Sequence, residues 1–394
     1  MLSHLSAPQQ DPILSLSVAY RNDPRPEKVD LGIGVYKNSQ GQTPIMAAIK
    51  QAQTQQAQEQ TTKAYVGLAG CEEFNQCMVD LLLKDTAAYS RVSAIQTPGA
   101  SGALRMLGDL LKIAEPETTV WISNPSYVNH RPVMEAAGLK VRFYHYFNPE
   151  TRQVDSAKML EDLAQAGPKD VVLLHGCCHN PTGADITVDD WKAITELAQK
   201  NGFTPFVDIA YQGFGDGLAQ DIVGLQHMAN NVEEMLITTS CSKNFGLYRE
   251  RTGAAIVIGK NLQEANNAKG KLLTLARSTY TMPPDHGAAL VKTVLQSEHL
   301  TQQWKAELVE MQQRLVGLRQ ALCQELVNSH KNDQFEFIKS HKGMFTVLGF
   351  SPEKMTQLRE EYGIYGVGDG RINIAGLQEK DIQYVANAIN TLAK

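Results

Sequence analysis

A mainly parallel α/β sheet with helices on both faces, joined to a smaller α+β domain, is the architecture this sequence predicts. Three observations carry that reading. Strand-sized apolar runs alternate with helix-length amphipathic ones between residues 92 and 239, and buried strands in such alternation form parallel sheets. Ser101, Tyr127, Asn180, Asp208 and Lys243 each fall at or just past the end of an expected strand, where ligands gather in open α/β sheets. A long helical tract, 298–329, then ends the alternation, and short strands and helices follow it.

The bulk properties exclude several classes. At 394 residues the chain exceeds one small core, so a large domain plus a smaller one is expected. A net charge of −5 argues against general nucleic-acid binding, which calls for a basic face. The longest apolar stretches are strand-sized and too short to span a membrane. The first 20 residues lack the basic-then-apolar pattern of a signal peptide, so the expected location is cytoplasmic. The six cysteines (71, 77, 177, 178, 241 and 323) have no framework spacing and read as free thiols.

In chain order, 1–12 reads as an N-terminal arm and 13–21 as a short helix. Residues 29–35 read as a strand that joins the C-terminal domain. Gly32 and Gly34 suggest a dinucleotide loop, but Lys37 stands where G-x-G-x-x-G needs glycine. The glycines of 213–217 and 366–370 fail the same test, so a nicotinamide-dependent dehydrogenase is poorly supported. Helices are expected over 45–60 and 72–83, around a loop that carries Tyr65. A strand over 92–97, the tight turn PGASG and a helix over 103–113 present backbone N–H groups and a positive dipole end to an anion, with Ser101 adding a hydroxyl. A serine nucleophile elbow would need glycine at 103, where the chain has Ala103.

Strand–helix pairs continue at 120–123 with 131–137 and at 140–144 with 156–166. The strand 171–174 runs into HGCCH (175–179), and a helix over 189–201 leads to a strand ending at Asp208. On an extended strand His175, Cys177 and His179 would share one face, but no second cluster with zinc-like spacing follows, so no metal is expected. The strand 236–239 leads to Lys243, set among Ser240, Ser242, Arg249 and Arg251 before another buried strand, 254–258. Positive neighbours depress an amine's pKa, which is how a lysine becomes a nucleophile; the alternative is a lysine that solvates a surface loop. Helices over 261–303 are interrupted by a loop, 275–287, containing Arg277. The tail shows strands at 335–338, 343–348, 364–367 and 371–374, with helices at 351–362 and at the end. The expected division is a small domain of 13–43 plus 310–394 and a large domain of 44–309.

Eight segments in this order then carry a resemblance: DLGIGVYK (30–37), TPGASGALR (97–105), PSYVNH (125–130), HGCCHNPTGAD (175–185), DIAYQGFG (208–215), SCSKNFGLYRERTG (240–253), YTMPP (280–284) and RINIAGL (371–377). Over essentially its whole length the chain resembles the fold-type I, class I pyridoxal-phosphate aminotransferases of the aspartate/aromatic subgroup. The resemblance implies that Lys243 bonds the cofactor aldehyde and, once released, serves as general acid and base. It implies that Asp208 holds the pyridine nitrogen protonated, with His130 behind it. Asn180 and Tyr211 match the partners of the cofactor's phenolic oxygen. Tyr127 stands where the family usually stacks a tryptophan on the ring. Ser101 with the Ala100 backbone, Ser240, Ser242 and Arg251 match the phosphate cup, and Tyr65 matches a residue reaching the neighbouring subunit's phosphate. Arg371 matches the receptor for the α-carboxylate, and Arg277, from the partner subunit, the receptor for a side-chain carboxylate. Ile33 and Gly34 match the segment that closes over substrate.

These matches imply a homodimer with shared active sites. They imply amino-group transfer from an L-amino acid to 2-oxoglutarate by a ping-pong mechanism. Ala64, Ser101 and Met282 stand where strict aspartate enzymes carry asparagine, threonine and asparagine, whereas Val35, Lys37 and Thr43 keep the aspartate-type pattern. Fewer polar anchors around Arg277 favour a donor range that includes tyrosine, phenylalanine and tryptophan beside aspartate and glutamate; the alternative is a strict aspartate aminotransferase. A pyridoxal-phosphate lyase or decarboxylase is disfavoured by the two substrate arginines, and a non-catalytic metal-binding protein would rest on HGCCH alone.

Overall fold

The computed structural model describes residues 2–4, 6, 12–330 and 333–393. Most of the N-terminal arm expected over 1–12 therefore lies outside the described residues.

Seven strands form the central sheet: β1 (Val92–Pro98), β2 (Thr119–Asn124), β3 (Lys140–His145), β4 (Asp170–His175), β5 (Thr204–Ile209), β6 (Met235–Ser240) and β7 (Thr252–Ile258). Their spatial order is β1-β7-β6-β5-β4-β2-β3. Only β7 runs antiparallel, to both β1 and β6; every other pairing is parallel. All residues of β6 and β7 are buried, as strands covered on both faces must be. Their side chains alternate between two cores. Ala254, Ile256 and Ile258 join Ile237 and Val207 on one face. Ala255 and Val257 join Leu236 and Phe206 on the other.

The second of these cores is closed by the helix Gly99–Ala114, through Leu104, Met106 and Leu107. That helix starts at Gly99 rather than 103, so GASG forms its first turn directly after β1 and no loop precedes it. The strand expected to end at Asp208 runs one residue further, to Ile209.

A separate core joins both chain ends. Val29 and Leu31 pack with Leu348, Leu358, Ile372 and Ile389. Val29–Asp30 pairs in parallel with Ile364–Tyr365, and Phe345–Val347 pairs antiparallel with Arg371–Asn373. The strand expected over 29–35 shrinks to two residues. The strand expected at 335–338 is instead a 3-10 helix, Asp333–Lys339, whose Phe335, Phe337 and Ile338 are buried. A short apolar run has no period long enough to separate the two conformations. The helix Leu262–Thr279 also continues through Arg277, where a loop was expected.

The helix Glu298–His330 serves both regions. Trp304, Leu308, Met311 and Leu315 belong to the sheet core, and Leu318, Leu322 and Leu326 to the terminal one.

Candidate active site

Strand register builds the floor of the site. His175 on β4 pairs with Asp208 on β5, and Asp208 pairs with Thr238 on β6. The Thr238 hydroxyl donates to Asp208 Oδ1 (2.7 Å), and His130 Nε2–H donates to Oδ2 (2.9 Å). Behind His130, Ser126 Oγ lies 2.9 Å from His130 Nδ1 and 3.1 Å from His175 Nε2. Burial alone would raise the Asp208 pKa, but the bond and charge of His130, with the Thr238 hydroxyl, hold it below the usual carboxylate value. Burial and the neighbouring His130 push His175 down to about 3, so it stays neutral.

Lys243 lies in the turn after β6, with Nζ 4.9 Å from the centre of the Tyr211 ring. Burial drives its pKa down, Asp208 opposes that, and Arg251 adds to it, leaving about 8. A lysine depressed in this way favours unfolding once it is charged. The unfolded chain binds more protons between about 8 and the ordinary 10.5. Stability of the cofactor-free protein should therefore rise with pH across that window. Lys243→Met should flatten the slope, as read by urea midpoints at successive pH values.

An anion cradle faces this lysine. The N-terminal turn of the helix Gly99–Ala114 lines the cavity with Ala100 and Ser101, and Ser240, Ser242 and Arg251 complete it. Free N–H groups at a helix start and the dipole behind them favour a phosphate. Gly99 has φ +71, and a Cβ there would lie 2.7 Å from Arg251 Nη2, so both backbone and space require glycine. Arg251 takes φ 52, and its Nη1 donates to Tyr248 O (3.1 Å) and Ser242 Oγ (3.5 Å).

The terminal region supplies the opposite wall. Asn180 Nδ2 lies 3.4 Å from Tyr211 Oη, and Asn180 Oδ1 accepts from Arg371 Nη1 (3.2 Å). Arg371 Nη2 donates to Gly32 O (3.1 Å), and its guanidinium lies 4.5 Å from the centre of the Phe345 ring. Arg371 Nε is buried with no acceptor from the described residues. Gly34 lines the cavity, and Ile33 O accepts from Asn373 Nδ2 (2.7 Å). Tyr127 also lines it, its ring edge-on to His130 at 5.3 Å. The enclosed space is ≈180 Å³.

Eleven residues named from sequence thus line one cavity: Gly34, Ala100, Ser101, Tyr127, Asn180, Asp208, Tyr211, Ser240, Ser242, Lys243 and Arg251. His130 sits behind it and Arg371 beside it. Tyr65 and Arg277 do not join them. Tyr65 is 89% exposed in the single chain, and Arg277 is exposed in the last turn of its helix.

Residues 26–389 match the family profile described as aminotransferase class I and II. The chain belongs to that family.

Relatives of this aminotransferase align end to end. It is 45% identical over 389 residues to the aromatic-amino-acid aminotransferase of Paracoccus denitrificans, covering 99% of each chain. It is 40% identical over 392 residues to the aspartate aminotransferase of Escherichia coli (strain K12), again with 99% of each covered. An aromatic-amino-acid aminotransferase from Burkholderia pseudomallei, solved covalently bound to pyridoxal phosphate, superposes over 100% of both chains with a TM-score of 0.97 at 36% identity.

The HGCCH segment of the aminotransferase does not form the shared face that an extended strand would give. β4 ends at His175, and Cys178 takes φ 53, so the chain bends instead of extending. The His175 and His179 rings come to 4.1 Å. The two cysteine sulfurs group with an Asp221 carboxylate oxygen, all within 4.8 Å. That carboxylate already accepts N–H groups of Gly213, Gly215 and Asp216. Cys178 and burial push the Cys177 thiol up, and burial pushes Cys178 to about 12. The cluster packs against the loop after β5, with Cys178 Sγ 3.9 Å from Tyr211 O.

Sequence reasoning missed Thr238, Ser126, Tyr248 and Phe345. Thr238 was the findable one: it lies within the expected strand 236–239, two residues before Ser240, and one neighbouring strand sets its register. Tyr248 Oη accepts the Tyr36 N–H (2.9 Å), a contact across 212 residues that local pattern does not carry.

Proposed function

We propose that this aminotransferase moves the amino group of aromatic L-amino acids (tyrosine, phenylalanine and tryptophan), and of aspartate and glutamate, to and from 2-oxoglutarate by a ping-pong mechanism. One observation carries the reading: Lys243, Asp208 and a five-residue anion cradle share one small cavity with Arg371 at its wall. The cofactor is pyridoxal 5'-phosphate, and the residues fit it. The cradle offers a helix start, three hydroxyls and a guanidinium to a dianion. Asp208 offers an ionised carboxylate held by two donors. When bound, the cofactor supplies the aldehyde that takes up the amino group and the ring that accepts the electron pair freed at Cα.

The chain's residues do the rest. Arg371 binds the α-carboxylate of substrate, its Nε–H available and its position fixed by Asn180, Gly32 and Phe345. Lys243 Nζ removes the proton from Cα, and a pKa near 8 suits a base at neutral pH. Tyr211 and Asn180 hold the phenolic oxygen. Ile33 and Gly34 ride on the small domain, 13–43 plus 310–394, and close over substrate against the 44–309 domain.

Two homodimer sites share residues in this reading: Tyr65 reaches the partner's phosphate and Arg277 its substrate's distal carboxylate. Both are exposed in the single chain, as residues meant for a neighbour would be. No described helix is long and apolar enough to cross a membrane, and the site we assign to the enzyme is cytoplasmic. The less polar Ala64 and Met282 and the smaller Ser101 support the wider donor range, and so does the 45% identity to an aromatic-amino-acid enzyme.

Measured kcat/KM with 2-oxoglutarate should be comparable or higher for tyrosine and phenylalanine than for aspartate. A strong preference for aspartate would establish the strict enzyme instead. Arg277→Leu should lower kcat/KM for aspartate by about 10²-fold, the cost of one buried charge partner, and leave phenylalanine within about threefold.

A further inference from the structure

Gln96 is a fully buried polar residue in a strand otherwise made of apolar and small side chains. A buried amide is costly unless both of its ends are bonded. Here both are bonded, to backbone of two segments far apart in sequence. Gln96 Oε1 accepts the Cys71 N–H (2.9 Å), and Gln96 Nε2 donates to Pro284 O (2.7 Å). Its own N–H donates to Ala69 O (2.9 Å), along the free edge of β1.

Those two segments are the ones that carry Tyr65 and Arg277. Cys71 follows Tyr65 by six residues, and Pro284 follows Arg277 by seven. Gly70, at φ +73, runs so close that a Cβ would lie 2.3 Å from Gln96 Oε1 and 2.8 Å from Pro283 Cγ. All residues from 61 to 67 are exposed, so the first fixed point after Tyr65 is this junction.

We propose that Gln96 is a positioning residue that acts on the partner's active site, by tying the Tyr65 and Arg277 segments to one another and to the edge of β1. The inference rests on the shared-site reading above. Gln96 is not among the residues that line the cavity of its own subunit; its effect is exported through the two segments it joins.

Hybrid dimers separate export from local damage. In the Gln96→Leu homodimer, KM for 2-oxoglutarate should rise about tenfold, the effect of leaving a buried donor and acceptor unpaired, with kcat changed less. In a hybrid of one Gln96→Leu subunit and one Lys243→Ala subunit, the only site with Lys243 receives Tyr65 and Arg277 from a chain whose Gln96 is intact. That hybrid should show the wild-type KM. A KM still raised in the hybrid overturns the proposal, because the defect then lies within the subunit. Gln96→Glu covers the case in which leucine prevents folding: it keeps the acceptor for Cys71 but sets a carboxylate against Pro284 O, and the same homodimer-to-hybrid recovery is expected. An unchanged KM in the homodimers overturns the proposal as well. An Arg277→Leu subunit paired with Lys243→Ala is the control. If that pair fails to recover, the shared-site reading itself fails; if it recovers and the Gln96 pair does not, only the present inference fails.

Discussion

Lys243→Ala is expected to lower kcat/KM for transamination by at least about 10⁴-fold, the upper range for losing a positioned general base. The loss should be one of chemistry and not of folding. The cradle of Ala100, Ser101, Ser240, Ser242 and Arg251 and the Asp208–His130 pair do not depend on the lysine. Pyridoxal phosphate should still bind, and the visible absorbance that titrates with pH in the parent enzyme should vanish. The cofactor-free variant should also be more stable than the parent near neutral pH, because a buried amine that resists charging has gone. A variant that kept the titrating absorbance would remove Lys243 from its assigned role. So would a parent protein that stays colourless after incubation with the cofactor.

Asp208→Asn is the second large effect. The change keeps size and one acceptor but removes the charge that His130 and Thr238 hold in place. Losing one member of a buried, hydrogen-bonded charge pair costs several kcal/mol, so kcat/KM should fall by roughly 10²- to 10⁴-fold. Thr238→Val removes one neutral donor and should cost only about tenfold. Steady-state rates with phenylalanine and with aspartate should show both losses equally, since neither side chain touches the part of the substrate that differs. A deficit confined to one donor would place Asp208 in substrate selection instead.

Much of this arrangement was legible in the sequence because its parts are local. Strand, small-residue turn and helix around Ser101 announce an anion site within a dozen residues, and a buried strand ending beside Lys243 announces an unusual amine. The ordering of the parallel strands then brings those local signals to one edge. What was not legible depends on partners distant in sequence. The Phe345 face under Arg371 needs the antiparallel pairing of Phe345–Val347 with Arg371–Asn373. Phe335 to Ile338 offered four residues and no period, and burial in a 3-10 turn satisfied them as well as a strand would. Arg277 was expected in a loop because of the prolines after it, but proline at 283 stops a helix only some residues on, and the helix runs to Thr279.

The helix Glu298–His330 has one end in each hydrophobic core, the change falling between Leu315 and Leu318. No loop therefore marks this crossing, unlike the one between Leu31 and Tyr36, which runs through irregular chain. A chimera assembled from two relatives would have its C-terminal splice inside a continuous helix, and a nick there would open both interiors at once. Heat should accordingly melt the protomer in a single step, with the terminal region unable to come apart ahead of the sheet.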